Sequence, residues 1–163
     1  VALDKTIVKT IDKLFAQGFA RSVFFTSDGT LYGFGDNRRG NLGDGSNTPA
    51  AYPKGISLSI LQKNSNLKFV SLSNSVLMVT DDNKLYAFGS NTFCQIDEEC
   101  DIFKNSPVKI NADGPLSNVE IKHAAVSSYH SVIVTSTNQV YTWGRFVFIF
   151  TFLKFFFFLN NNS

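Results

Sequence analysis

Two histidines, His123 and His130, and two cysteines, Cys94 and Cys100, are the side chains of this 163-residue chain best suited to proton transfer, nucleophilic attack or metal binding. A base needs a positioned nucleophile or an orienting group, and no Ser/His/Asp or Cys/His set recurs around either histidine, so no catalytic residue is assigned. The cysteines share one stretch with no Cys-x-x-Cys pair and no adjacent histidine, which argues against zinc. Reduced thiols in an intracellular protein are expected, with a local disulfide as the alternative. The acidic run Asp97-Glu98-Glu99 with Asp101 lacks the alternate ligands around a glycine turn that a calcium loop requires, so it reads as solvated surface and no metal is expected. Gly35 and Gly40 have the outer spacing of a phosphate loop. Asn41-Leu42 stands where Lys-Ser/Thr would grip phosphate and magnesium, so no nucleotide or other cofactor is expected. Arg38-Arg39 is the only basic pair, and a formal charge of +2 gives no basic stripe, so direct nucleic-acid binding is not expected.

The elements that carry these residues repeat. Residues 22–53 read SVFFTSDGTLYGFGDNRRGNLGDGSNTPAAYP, and residues 75–107 say the same again in SVLMVTDDNKLYAFGSNTFCQIDEECDIFKNSP. A third copy, SVIVTSTNQVYTWG, opens at Ser131 and ends at Gly144. Gly35 and Gly89 each precede an Asn by two residues (Asn37, Asn91) and a Pro by eighteen (Pro53, Pro107). Ser22 to Gly35 and Ser131 to Gly144 are both thirteen steps, and Ser75 to Gly89 needs one more. A period of 53 to 56 residues makes the chain an array of one supersecondary unit.

Within each copy an apolar run leads into a turn and then a short strand containing Tyr32 and Phe34, Tyr86 and Phe88, or Tyr141 and Trp143. Gly29, Asn83 or Asn138 lies three residues before the Tyr, and these types tolerate the positive φ of a tight hairpin. The two aromatics share a face of the strand, while Gly33, Ala87 or Thr142 thins the other. Sheets stacked face to face would let the aromatics of one fill the space left by the next. With short strands also expected around residues 54–56 and 67–72, each period supplies about four strands, one blade of a propeller.

These residues resemble the regulator of chromosome condensation repeat family. His130-Ser131, the Tyr141-Thr142-Trp143-Gly144 strand, Gly40-Asn41-Leu42-Gly43 and the Ile121 to Ser127 lead-in carry the likeness. The departures are Arg21 and Asn74 in place of the His, Ser127 in place of a Gly, and Cys94-Gln95-Ile96-Asp97, which has lost both glycines. The resemblance implies an all-β partial propeller of about three four-stranded blades. The end of one repeat would occupy residues 1–21, full repeats 22–74 and 75–130, and a truncated repeat 131–145. Ile7 to Ile11 and Leu14 to Gly18 then fall where a strand leads into the first hairpin, although Ile7, Ile11, Leu14 and Phe15 also fit a short amphipathic helix.

After Gly144 the repeat stops. Residues 146–163, FVFIFTFLKFFFFLNNNS, hold eight of the 17 phenylalanines, and the apolar part is shorter than the about twenty residues of a membrane span. Phe, Ile, Leu, Lys and Asn are what A/T-only codons spell, so this Phe/Asn-rich tail reads as translated intron rather than a selected element. The chain opens at Val1 rather than Met, no secretory signal precedes the repeats, and an intracellular piece of a longer protein is expected. The family resemblance implies a protein-protein interaction scaffold without enzymatic activity. Its alternative is a fragment of a guanine-nucleotide exchange factor for a Ran-like small GTPase.

Overall fold

Three copies of one pattern fold into three copies of one sheet. The computed structural model describes residues 11–17, 21–27, 30–56, 67–97, 99–110, 116 and 118–145. The first sheet runs β1 (Ile11–Gln17), β2 (Arg21–Thr26), β3 (Leu31–Gly35) and β4 (Ala50–Ile56), each strand antiparallel to its neighbour. The second repeats the order in β5 (Leu67–Leu72), β6 (Ser75–Thr80), β7 (Leu85–Ser90) and β8 (Phe103–Lys109). The third has β9 (Ile121–Val126), β10 (His130–Thr135) and β11 (Val140–Gly144), three strands among the described residues. Residues 11–17 are strand and not helix. The expectations for Ile7, Gly18, Gly29 and the 146–163 tail lie outside the described residues. The strand before each hairpin joins that hairpin's own sheet, so the sheets run one strand out of phase with repeats counted from Ser22, Ser75 and Ser131.

The hairpins share one device that the aromatic pattern does not announce. Thr26, Thr80 and Thr135 end β2, β6 and β10, are all buried, and each donates its backbone N–H to the carbonyl four residues on, at 2.9, 3.0 and 2.9 Å. Their hydroxyls brace the same turn: Thr26 Oγ1 donates to Thr30 O at 2.9 Å, while Lys84 N and Gln139 N donate to Thr80 and Thr135 Oγ1 at 3.0 and 3.1 Å. Asn83 and Asn138 take φ of 60° in these turns, as hairpin chemistry requires.

Counting from these turns corrects the alignment of the second copy. Arg21 pairs with Gly35 and His130 with Gly144, but Ser75 pairs with Gly89, and Val76 with Phe88 takes the place of Ser22 with Phe34 and Ser131 with Trp143. Ser75 therefore stands where Arg21 and His130 stand, not with Ser22 and Ser131. The hairpin fixes register from its turn, and the extra step between Ser75 and Gly89 falls at the strand's far end.

The sheets stack through alternating faces. Val76, Met78, Tyr86 and Phe88 of the second sheet pack with Val23, Phe25, Leu31 and Ile56 of the first. Leu77, Val79, Leu85 and Ala87, the alternate residues, pack with Ile121, Ile133 and Tyr141 of the third, with Trp143 against them. Every residue of β6 and β7 is buried, as a strand covered on both faces must be. Tyr86 and Phe88 thus face one neighbour and Ala87 the other, as expected of stacked blades. The thinned face is filled in part from within: a Cβ on Gly33 would lie 3.0 Å from Leu42 Cδ2 and 3.3 Å from Ile56 Cδ1. Leu42 and Ile96, both fully buried, come from the loops that follow β3 and β7.

The blades fan. β5 lies against β9 and also approaches β1, so the first strand of each sheet is innermost. The fourth strands β4 and β8 lie outermost, and Pro53 and Pro107 stand in them, where a missing N–H removes no ladder bond.

Candidate interaction rim

Each β3–β4-type loop leaves the sheet at a glycine and is pulled back by an asparagine. Gly35, Gly89 and Gly144 have φ of 107°, 101° and 114°. A Cβ on Gly144 would lie 2.5 Å from Tyr129 O, so backbone crosses backbone there and only hydrogen fits. Asn37, fully buried, accepts Leu42 N at 2.8 Å and donates Nδ2 toward Asp44 Oδ1 (3.0 Å), Ser46 O (3.0 Å) and Thr48 O (3.2 Å). Asn91, equally buried, accepts Ile96 N at 2.9 Å and Asp97 N at 3.2 Å, and donates to Asp97 Oδ1 at 2.6 Å and Asp101 Oδ1 at 2.9 Å. One carboxamide per loop serves as a local hub, a role only a donor-acceptor side chain fills.

The loops also seat the next blade. Gly43 (φ 66°) lies against Phe88, where a Cβ would fall 2.8 Å from the ring, and Gly40 lies against the Lys104–Asn105 backbone. With its carboxamide oriented to satisfy both ends, Asn41 donates to Asn74 O at 2.8 Å and accepts from Arg21 Nη1 at 2.7 Å. Burial lowers the Arg21 pKa, and nearby Asp36 works against that fall. In the second loop Gln95 O accepts both Ser131 Oγ at 2.7 Å and Trp143 Nε1 at 2.9 Å. We predict that Trp143→Phe, which keeps the aromatic packing and removes that donor, lowers stability by about 1 kcal/mol. Urea unfolding followed by circular dichroism checks it; an unchanged midpoint would mean the indole acts by packing alone.

The acidic run is not simply solvated. Lys104 reaches Asp97 Oδ2 at 2.9 Å and Asp101 Oδ2 at 3.1 Å, and also pairs with Glu99. Burial alone would lower the ammonium's pKa; hydrogen bonds to Glu99, Asp97 and Asp101 outweigh it and raise the pKa well above the usual lysine value. The Asp101 carboxyl is likewise held below its ordinary range: burial pushes it up, and the bonds from Asn91 and Lys104 more than reverse that. Arg38, in the basic pair, is bound to Asp36 at 2.8 Å, and Arg39 is exposed.

The cysteines correct an expectation. Cys94 and Cys100 are joined in a disulfide with Cα atoms 4.3 Å apart, not held as reduced thiols. Spacing could not show this, because it is Asn91, gripping Asp97 and Asp101 together, that folds the intervening chain back on itself. Of the histidines, His130 is exposed with Nδ1 3.1 Å from Ser127 Oγ, and His123 is exposed on β9. No group of three or more metal-ligating side chains occurs among the described residues.

What the structure assembles, and the sequence did not indicate, is a surface cluster at the loop end of the second and third blades. The Phe93 and Tyr129 rings meet with centroids 5.0 Å apart and planes at 60°. The Arg145 guanidinium lies 5.0 Å from the Phe93 centroid and 5.9 Å from that of Tyr129, and Arg145 N donates to Tyr129 O at 2.8 Å. Tyr129 is 49% exposed, and Ile102 on the same loop as Phe93 is 68% exposed. No repeat signal marks these residues, because they come from unlike positions of adjacent copies.

Residues 28–73 match the Regulator of chromosome condensation (RCC1) repeat, and residues 121–148 match it again. The chain belongs to the regulator of chromosome condensation repeat family. Among its relatives, the Ultraviolet-B receptor UVR8 of Arabidopsis thaliana is 25% identical over 183 residues, covering 82% of this chain and 41% of that protein. The X-linked retinitis pigmentosa GTPase regulator homolog of Caenorhabditis elegans is 30% identical over 140 residues, covering 83% and 9%. The crystal structure of Prp20p from Saccharomyces cerevisiae superposes with a TM-score of 0.66 at 22% identity, covering 83% of this chain and 33% of that one. The chain therefore spans less than half the length of each. The RCC1 fold is a β-propeller, and three stacked sheets make this chain a partial one of about three blades.

Proposed function

We propose that these RCC1 blades form an intracellular protein-interaction scaffold and that the Phe93–Tyr129–Arg145 rim, with exposed Ile102 on the same loop as Phe93, is a contact surface. The rim carries the reading: an exposed Tyr129 ring, an exposed Arg145 guanidinium and a half-buried Phe93 ring, the types enriched at interface centres, meet at the loop end, with the Phe93 loop fixed by buried Asn91. The role calls for no cofactor and no catalysis. No helix among the described residues is long and apolar enough to cross a membrane.

The test places a photoreactive phenylalanine analogue at position 129, and in a second sample at Thr137 in the opposite hairpin end, and irradiates each in cell extract. A discrete protein adduct from position 129 that is lost with Arg145→Glu is expected. Indistinguishable adducts from both positions would overturn the rim as the site.

The exchange-factor reading has one observation in its favour, since the study of Prp20p concerns its binding to Gsp1p and histones. Exchange requires stabilising the nucleotide-free GTPase over a shaped surface, and three blades supply an arc of that surface. This chain is expected to leave fluorescent-nucleotide release from a Ran-type GTPase at its intrinsic rate. Dose-dependent acceleration would make exchange the better reading.

A further inference from the structure

We propose that the Cys94–Cys100 disulfide is a redox latch on the junction between the second and third blades, opened by a dithiol reductant and closed by oxidation. Three observations converge on it. First, Cys94 takes the place of a glycine. Gly40 and Cys94 have φ of 65° and 57°, and each donates its N–H to the carbonyl of the hub asparagine, Asn37 or Asn91, at 2.9 Å. Cys100 also lies in the left-handed region, at 51°. A side chain makes that backbone conformation unfavourable, so the second loop holds by a covalent bond a shape that the first holds with glycines.

Second, the bridged segment carries the third blade. Between the cysteines lie Gln95, whose carbonyl receives Ser131 and Trp143, and Ile96, which is fully buried in the core shared by the two blades. The first loop has no cysteine, so the junction between the first and second blades is a built-in control. Third, the bridge is within reach: Cys100 is exposed and Cys94 is half-buried.

The chemistry balances with a dithiol as the reductant. One of its thiolates attacks Cys100 Sγ; the bond to Cys94 breaks, a mixed disulfide forms on Cys100, and Cys94 leaves as a thiolate that takes up a proton. The second thiolate of the reductant then attacks the reductant's sulfur in that mixed disulfide. Cys100 is released and protonated, and the reductant leaves as a disulfide, two electrons poorer. The reverse transfer to an oxidised partner of the same class closes the latch. In a reducing compartment the blades would part at this junction, and an oxidising pulse would seat them.

The test uses the full chain, first oxidised and then titrated with dithiothreitol. Alkylation and mass measurement should find neither cysteine reactive at the start and both reactive together after reduction. Hydrogen exchange should rise at least tenfold in residues 92–97 and 131–143 and stay unchanged in residues 37–45, with a shift in emission of Trp143, the single tryptophan. Reoxidation should reverse all three. The variant Cys94→Gly with Cys100→Ser, which restores the glycine, should keep the third blade protected and ignore the reductant. Alkylation of the oxidised chain, unchanged exchange on reduction, or an equal rise in residues 37–45 would each overturn the latch, the last by making the bridge a staple of the whole fold.

Discussion

Phe88→Ala should cost the fold about 3 to 5 kcal/mol, the range for emptying a large aromatic site in a packed core. The ring is fully buried and lies between two blades, with Gly43 against its face and Val23, Phe25 and Ile56 in the same cluster. Because Gly43 stands at φ 66°, its loop cannot follow a shrinking side chain without losing the bonds to Asn37 that fix it. The void therefore persists, and cavity cost adds to transfer cost. Phe34 takes the equivalent place in the first blade and is only half-buried, so Phe34→Ala should cost less than half as much. Urea unfolding of both variants, followed through Trp143, checks the difference. Equal losses would mean that Phe88 is held by its own sheet and not by the stack.

The second large effect is expected at Asn91. Asn91→Ala leaves the buried N–H of Ile96 and the half-buried N–H of Asp97 without their acceptor and strips a donor from two carboxylates. At about 1 to 3 kcal/mol for each buried group left unmade, and with water reaching part of the loop, a total near 3 kcal/mol is expected. Asn91→Asp separates the two halves of the role. It keeps the acceptor but puts a third carboxylate beside Asp97 and Asp101, with Lys104 as their shared cation. Repulsion makes the new carboxyl bind its proton more readily in the folded state than in the unfolded one. The folded state then gains on the unfolded as pH falls, so the Asp variant should recover toward the parent between pH 7 and about 4. The Ala variant lacks that added carboxyl and the recovery tied to it. Melting temperatures of all three proteins across that range test the sign; a parallel response of the Asp and Ala variants would remove the carboxylate argument.

Much of the fold was legible because the repeat is a packing code. Phe88 with Ala87, and Trp143 with Thr142, state which face is bulky and which is thin, and the structure stacks them accordingly. Gly89 and Asn91 were legible as anchors because each serves backbone within its own copy. What was not legible depends on distance in space. Thr26, Thr80 and Thr135 do share a sequence signal, a Thr three residues before Gly or Asn, which the eye passes over beside the aromatics. The misplacement of Ser75 came from aligning by residue type, whereas the hairpin sets register from its turn. Cys94 meets Cys100 because of Asn91, and Phe93 meets Tyr129 and Arg145 across two copies, so neither pairing has a spacing to read.

Pro53 and Pro107 carry a consequence for how this molecule meets others. They stand in the outermost strand of each complete blade, and neither can offer an amide hydrogen to an arriving strand. An extended peptide that tried to lengthen either four-stranded sheet at that edge would find its run of bonds interrupted at that point. The outer edge of each four-stranded blade is thereby a poor template for strand addition, while its loop end presents side chains in place of open backbone.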